Sequence, residues 1–425
     1  MLFFGLFLIL LFLGVPVAVS LGAAAVFLSW KYELGISSLS MNFYANVAKF
    51  QLLAIPFFIL AGLVLDRCGI SRRLVRFVSL LVGPIPGGLA LVTIIVGLLF
   101  AGISGSGPAD TAALCTVLIP AMAALGYGTG FTAALAASCG SFAIVVPPSI
   151  AFILYGVITS TSVPALFAAG VIPGILVGLF LMIPSYVIAR RRGWKGERWG
   201  TRAELWQAFR QAFWGLAAPF IILGGIYGGI VTPTEAAVVA VVYGLAIGAL
   251  VYRTLTLRTL YAVFRDAVVS SAVVMIIVAF AGLYAWAGST MGVMDKVSKA
   301  ALSLTSSPAL TLLLINVALL LAGMFLDAIS IYYIFLPMLI PVIAHFHWDP
   351  VWFGVVMTLN LAIGQITPPV AVNLYVAAHT GGVSVEETSR SIWPFLLAMC
   401  AALAIVTCLP FLSTWLPTLL ELSGE

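Results

Sequence analysis

Charge is what this sequence lacks most. Only 8% of its 425 residues are Asp, Glu, Lys or Arg, against about 25% in soluble domains. A water-soluble fold is excluded, because a chain of this length could not hide 63% hydrophobic residues inside itself. Strict alternation of apolar and polar residues is also missing, which excludes the strands of an outer-membrane barrel. The apolar stretches are near-continuous and many reach 18 residues or more, so they read as membrane helices. A basic start is absent, and the run from Met1 to Trp30 is too long for a signal peptide, so it is expected to be a retained first membrane helix. The five cysteines (Cys68, Cys115, Cys139, Cys400, Cys408) lie mostly inside apolar runs without metal-type spacing and read as plain buried thiols. The net charge of +5 resides in loops, reports orientation, and gives no sign of a nucleic-acid partner.

What is present is a repeat. The segment Gly102-Ile-Ser-Gly-Ser-Gly-Pro-Ala-Asp110, then Leu118-Ile-Pro120, then Pro147-Pro148 has a counterpart in Gly323-Met-Phe-Leu-Asp327, Leu339-Ile-Pro341 and Pro368-Pro369. The offset is constant: 102 + 221 = 323, 120 + 221 = 341, 147 + 221 = 368, and 173 + 221 = 394 for Pro173 and Pro394. Each proline-on-proline match has roughly a one-in-twenty chance at ordinary usage, so an internal duplication is the better explanation.

Three basic segments punctuate the chain: Arg67–Arg76, Arg190–Gln211 (with Arg190, Arg191, Arg192, Lys195, Arg198, Arg202 and Arg210) and Arg253–Arg265. Basic loops face the cytoplasm, so the three should share a side. Threading from them places the N-terminus inside and the C-terminus outside. The counterpart of Arg67–Arg76 is Trp286–Lys299, which then falls outside, so the two copies should cross the bilayer in opposite directions, as in secondary transporters. The middle segment, with Trp194, Trp199 and Trp206, is expected to form an amphipathic helix at the interface.

Each copy holds two interrupted elements. One is a helical pair broken by a polar tip, at Gly102–Asp110 and Gly323–Ser330; the other is a span broken at Pro-Pro, where two donors are lost and carbonyls are freed one turn earlier. Non-helical backbone at membrane depth is tolerated only inside protein or along a cavity. The polar residues fall into two groups: Ser104, Ser106, Asp110, Thr111, Ser138, Ser141 and Ser149, then Asp327, Ser330, Asn360, Gln365, Thr367 and Asn373. Half-helix C-termini and unwound carbonyls suit Na⁺, and half-helix N-termini suit a carboxylate. Neither group contains Lys or Arg. The competing explanation is packing by small residues, with serine hydroxyls bonding back to carbonyls.

Three acids stand in apolar runs, where a carboxylate costs roughly 2.5 kcal/mol or more. Asp110 and Glu235 each fall in a helix's first turn, so capping explains them as well as coupling does. Asp327 has no such role in the pattern and is the stronger functional candidate. Gly102-Ile-Ser104-Gly105 also matches the GxSG pattern of intramembrane serine proteases. That chemistry needs a histidine base, and the candidates His345, His347 and His379 all fall at span ends.

Gly102–Asp110, Pro147-Pro148, Thr232-Pro-Thr-Glu-Ala236, Gly323–Asp327 and Gly364-Gln-Ile-Thr-Pro-Pro-Val-Ala-Val-Asn373 together resemble the large membrane subunit of tripartite ATP-independent periplasmic (TRAP) transporters, of the DctM/SiaM type, over nearly the whole chain. The resemblance implies an all-α integral membrane protein of the inverted-repeat elevator fold, similar in plan to divalent-anion/Na⁺ symporters, with two re-entrant hairpins and two unwound helices. It implies Na⁺-coupled import of a C4-dicarboxylate, sialic acid or related carboxylate across the bacterial inner membrane. The expected partners are a small four-helix membrane subunit, as a separate polypeptide, and a periplasmic substrate-binding protein. At least two Na⁺ sites are implied: Gly102, Ser104, Ser106, Ser141 and Pro147 in one copy, and Gly323, Asp327, Gly364 and Thr367 in the other. Substrate would meet Ser104, Gly105, Ser149, Asp327 and Asn373, with Asp110 and Glu235 as possible coupling acids. The expected division is scaffold and first arm in 1–85, transport-domain halves in 86–165 and 308–380, scaffold and second arm in 166–307, and a C-terminal helix in 381–425. A stand-alone Na⁺/dicarboxylate symporter is the alternative, and an intramembrane hydrolase using Ser104 a remote one.

Overall fold

The computed structural model describes residues 2–194, 196 and 198–422; Met1 and Lys195, named above, lie outside the described residues. All regular structure among the described residues is helical. Helices α1 (Leu2–Phe12) and α2 (Val17–Lys31) form a tight pair, because Gly14 at φ +82° turns the chain and Pro16 starts the second helix. This corrects the expected single first membrane helix: at about 1.5 Å per residue, α1 is too short to cross a ~30 Å hydrocarbon core. Leu2, Tyr32 and Lys296 line one recess, so the pair begins and ends at the same end of the bundle.

Helix α3 (Ile36–Val47), a 3-10 turn (Phe50–Leu53) and α4 (Ala54–Arg67) carry the chain to the opposite end. There Gly69 (φ +73°) turns it into α5 (Ile70–Val82), which buries Ile70, Leu74 and Val78 and leaves Arg72 and Arg76 exposed. The first copy follows as α6 (Gly88–Ser104), α7 (Gly107–Ala124), α8 (Thr129–Phe142), α9 (Ile150–Thr159) and α10 (Val163–Arg191). Between the copies stand α11 (Arg202–Tyr227), α12 (Pro233–Ala246), α13 (Leu257–Thr290) and α14 (Val293–Leu304). The second copy is α15 (Pro308–Gly323), α16 (Ala328–His345), α17 (Pro350–Gly364), α18 (Val372–Gly381) and α19 (Val385–Cys408), with α20 (Phe411–Leu419) at the end. The offset of 221 carries the start of α7 onto α16 (107 + 221 = 328) and of α8 onto α17 (129 + 221 = 350). Both Pro-Pro bonds are cis.

The three basic segments do meet. Arg67 pairs with Asp266 at 3.5 Å, the Arg73 guanidinium lies 3.7 Å from the Tyr252 ring centroid, and the Tyr252 hydroxyl donates to the Gln211 carbonyl at 2.6 Å. From this basic end the 34 residues of α13 run to the end where Leu2 and Lys296 sit. The N-terminus and the basic segments therefore lie at opposite ends, which corrects the expectation that they share a side; the physical reason is that α1 and α2, continuous in the apolar pattern, fold back on each other and do not cross. The expected interfacial helix over 190–211 is also corrected. A capping box between Thr201 and Glu204 starts α11 at Arg202, and the helix runs unbroken to Tyr227.

The hairpin α6–α7 opens toward the basic end, where Gly87 abuts Ala189 and Tyr127 stacks on Trp194 at the close of α10. The α8–α9 element crosses away from it, and the Tyr155 hydroxyl reaches the Pro350 carbonyl at 2.7 Å. Helices α15 and α17 run parallel from that far end, joined at Asn316–Asn360 and Gly323–Gly364. The second hairpin therefore opens opposite to the first. Outward-facing apolar residues such as Leu257 (87% exposed) and Phe220 (78% exposed) have no protein to cover them, as expected of a lipid-facing surface.

Candidate functional site

At the first tip, α6 stops at Gly105 (φ +61°), and a Cβ there would sit 2.3 Å from the Pro148 carbonyl oxygen. Only glycine satisfies both the left-handed backbone and this approach. The tip therefore rests on the elbow, the seven unwound residues 143–149 between α8 and α9. Ser149 caps α9: its hydroxyl accepts from the Phe152 amide at 3.3 Å and donates to the Ile144 carbonyl. Ser104 Oγ accepts from the Ser106 amide at 3.2 Å and donates to Asp110 Oδ1. Asp110 is 2% exposed, and its second oxygen, Oδ2, has no partner within the protein.

The second tip is built differently. Asp327 is the N-cap of α16, accepting from the amides of Ile329 (3.0 Å) and Ser330 (3.3 Å) and from the Ser330 hydroxyl at 2.5 Å. This corrects the view that Asp327 lacks a capping role; the helix break at 324–326, which the apolar pattern Met-Phe-Leu conceals, turns a mid-run acid into a cap. The elbow over 365–371 is tied to the tip by the Val370 amide, which donates to the Met324 carbonyl at 3.2 Å. Gly323 and Gly364 touch backbone to backbone, a Cβ on the former lying 2.9 Å from the Cα of the latter. Asn373 donates through its amide to the Gln365 carbonyl (3.0 Å) and through Nδ2 to Gln365 Oε1 (2.8 Å), while its buried Oδ1 has no protein partner.

The two units converge. A cavity of about 150 Å³ is lined by Gly105, Ser106, Gly107 and Pro108 from the first tip and by Asp327, Ala328, Ile329 and Gln365 from the second copy. Ile150 and Ala151 of α9 and Val372 of α18 close it, so the first residues of α7, α9, α16 and α18 all line one space. The starts of four helices thus border one small cavity whose lining has no Lys or Arg and one carboxylate, Asp327, which caps α16 as Ser149 caps α9. A second cavity of about 140 Å³ holds Ser104, Ser106 and Asp110 on one side and Gly62, Asp66 and Val274 on the other.

Not every expected residue joins. Ser141 donates to the Ser138 carbonyl within α8 (2.9 Å) and lies near Met399 Sδ, and Thr367, in the elbow, donates back to the Ile363 carbonyl of α17 (2.7 Å). Asn360 sits on α17 clasped to Asn316, away from the elbow. Glu235 is exposed and occupied by a capping box with Thr232. Tyr332 and Gly107 were not anticipated. Tyr332 reads as an ordinary buried aromatic, while the glycine spacing of the first tip could have flagged Gly107, where a Cβ would meet Gln365 Oε1 at 2.7 Å. The three histidines are exposed at or beyond helix ends, and the Ser104 hydroxyl is directed at Asp110.

An all-helical bundle with two inverted tip-and-elbow units is the build of a membrane permease. Its fold is similar to that of the YdaH transporter of Alcanivorax borkumensis, with a TM-score of 0.64 at 15% identity over 93% of this chain and 90% of that one. Residues 4–412 match the DctM component of the tripartite ATP-independent periplasmic transporters, and the chain belongs to that family. It is 36% identical to the C4-dicarboxylate TRAP transporter large permease protein DctM of Rhodobacter capsulatus, covering 98% of each. It is 37% identical to the sialic acid large permease SiaM of Vibrio cholerae, over 96% of both chains. To the isethionate TRAP transporter permease protein DctMQ of Oleidesulfovibrio alaskensis it is 41% identical, and there this chain spans 64% of the relative's length.

Proposed function

We propose that this chain is the large membrane subunit of a Na⁺-coupled importer of an organic anion. It works in the bacterial inner membrane with a small four-helix subunit and a periplasmic substrate-binding protein. The observation that carries the reading is the cavity where four helix N-termini meet between two inverted hairpin tips. In this reading bound Na⁺ offsets the Asp327 carboxylate of the lining, so the backbone amides there hold a carboxylate or sulfonate without a basic side chain; C4-dicarboxylates, sialic acid and isethionate, for which relatives are named, carry just these groups. Na⁺ enters as a co-substrate. Asp110 Oδ2 and Asn373 Oδ1, buried and unpaired beside the two tips, are oxygens of the kind that cation takes. One lies in each copy, which supports two sites.

The seam between α4 and the first hairpin, where Gly62 lies directly against Ser104, supports a reading of alternating access. In this reading the two tip-and-elbow units move together past α4 and α13, with α5 and α14 as flexing arms. The test is uptake in proteoliposomes holding the chain, its small subunit and its binding protein, with labelled succinate, sialic acid and isethionate as the panel. Uptake should require an inward Na⁺ gradient and the binding protein. Accumulation that is unchanged in K⁺ would end the coupling claim, and uptake by the chain alone would favour a stand-alone symporter.

A further inference from the structure

Below the first hairpin the basic end opens into a wide vestibule of about 910 Å³. Its walls are one leg of that hairpin, including Ala109, Ala112 and Thr116, and the exposed face of α5 with Arg72, Arg73 and Arg76. Leu63, Asp66, Ala109 and Ala113 border both this vestibule and the cavity beside Ser104 and Asp110, so the two spaces share a wall. The cations of the lining are not equivalent. Arg67 is paired with Asp266, and Arg73 stacks on Tyr252 while donating to the carbonyls of Cys68 (2.7 Å) and Gly69 (2.9 Å). Asp66 accepts a hydrogen bond from Ser71. Arg72 and Arg76 take part in no ion pair among the described residues and stand one helical turn apart on α5. Like charges at that spacing repel and weaken a helix. A bias toward basic residues on one side of the membrane is met by arginines anywhere at that end, and it does not require two of them to face a cavity.

We propose that Arg72 and Arg76 form an anion-binding station in this vestibule, where a carboxylate or sulfonate leaving the tip cavity is held before it reaches the aqueous phase. The inference rests on the organic-anion reading above. The station carries positive side-chain charge, whereas the lining of the tip cavity has no Lys or Arg and includes the Asp327 carboxylate, so an exiting anion meets its first positive side chains here. Two guanidinium groups one turn apart match a substrate with two anionic groups, each accepting paired N–H bonds.

The test needs no transport. With Thr116→Cys as a reporter in the vestibule, the full-length protein in phosphatidylcholine nanodiscs is treated with an anionic and a cationic methanethiosulfonate, and modification at position 116 is followed by peptide mass spectrometry. The anionic reagent should react faster, and R72Q/R76Q should lower the anionic-to-cationic rate ratio by about tenfold, the scale of focusing by a charged cleft. R190Q/R191Q, which removes the same charge elsewhere at this end, should lower it less than twofold. Succinate should slow modification in the parent and not in R72Q/R76Q. An unchanged ratio in R72Q/R76Q, an equal fall in R190Q/R191Q, or no protection by succinate would overturn the station. Protection appearing only with phosphatidylglycerol in the nanodisc would assign the arginines to lipid and overturn it equally. Failure of Na⁺-driven uptake with these rates intact would instead count against the transport reading.

Discussion

The two tip-and-elbow units share a backbone plan but differ in chemistry. Subtracting 221 places Asp327 on Ser106, both N-caps, while adding 221 places Asp110 on Ile331. The first copy thus holds its acid one turn inside α7, with one oxygen given to Ser104 and the other unpaired. The second holds its acid at the cap, with both oxygens engaged by Ser330 or amides. Likewise Asn316 and Asn360 clasp each other where the first copy has Ile95 and Cys139. Duplication preserved the fold while one carboxylate became part of the frame and the other stayed available.

The largest effect should come from Asp110→Asn, which removes the available negative oxygen without changing size. Na⁺-driven uptake should fall by at least about tenfold at unchanged protein abundance, a loss of the order expected for one charged contact. Asp327→Asn should cost much less, because Asn caps nearly as well as Asp. Equal losses in the two variants would dissolve the contrast between the copies. Next in size is Gly105→Ala, which forces a Cβ against the Pro148 carbonyl and strains a left-handed residue. Thermal unfolding in detergent should show a loss of about 1–3 kcal/mol. Asn360→Leu should cost about 1–3 kcal/mol by stranding Asn316, whereas N316I/N360C, which installs the first copy's pair, should be close to neutral. A double variant as unstable as the single one would show that the clasp fixes more than a local bond. Smallest is Glu235→Gln: as an exposed cap it should leave thermal stability nearly unchanged and leave the Na⁺ dependence of uptake untouched. A changed Na⁺ response there would restore it as a coupling acid.

Much of this arrangement was legible because glycine and proline punctuate apolar runs, and the breaks at Gly105 and at both Pro-Pro pairs fall where those residues stand. The inversion was legible from the basic segments, which do gather around Tyr252 and Asp266. Three things were not. The turn at Gly14-Val15-Pro16 lies in a run so apolar that it reads as one span. The break before Asp327 has no glycine or proline inside it, so the capping geometry appears only once the backbone is seen. Serine in a helix gives no sign of whether its hydroxyl faces a cavity or returns to a carbonyl, which is why Ser141 and Ser104 look alike in the sequence and differ in the fold.

The contact of Gly62 with Ser104 has a mechanical meaning. Two backbones that pass with only hydrogen and a short hydroxymethyl between them form a smooth track without interlocking teeth. If the two units slide past α4 as proposed, a side chain of any bulk at position 62 would act as a pin driven through a rail and cost the protein its stroke.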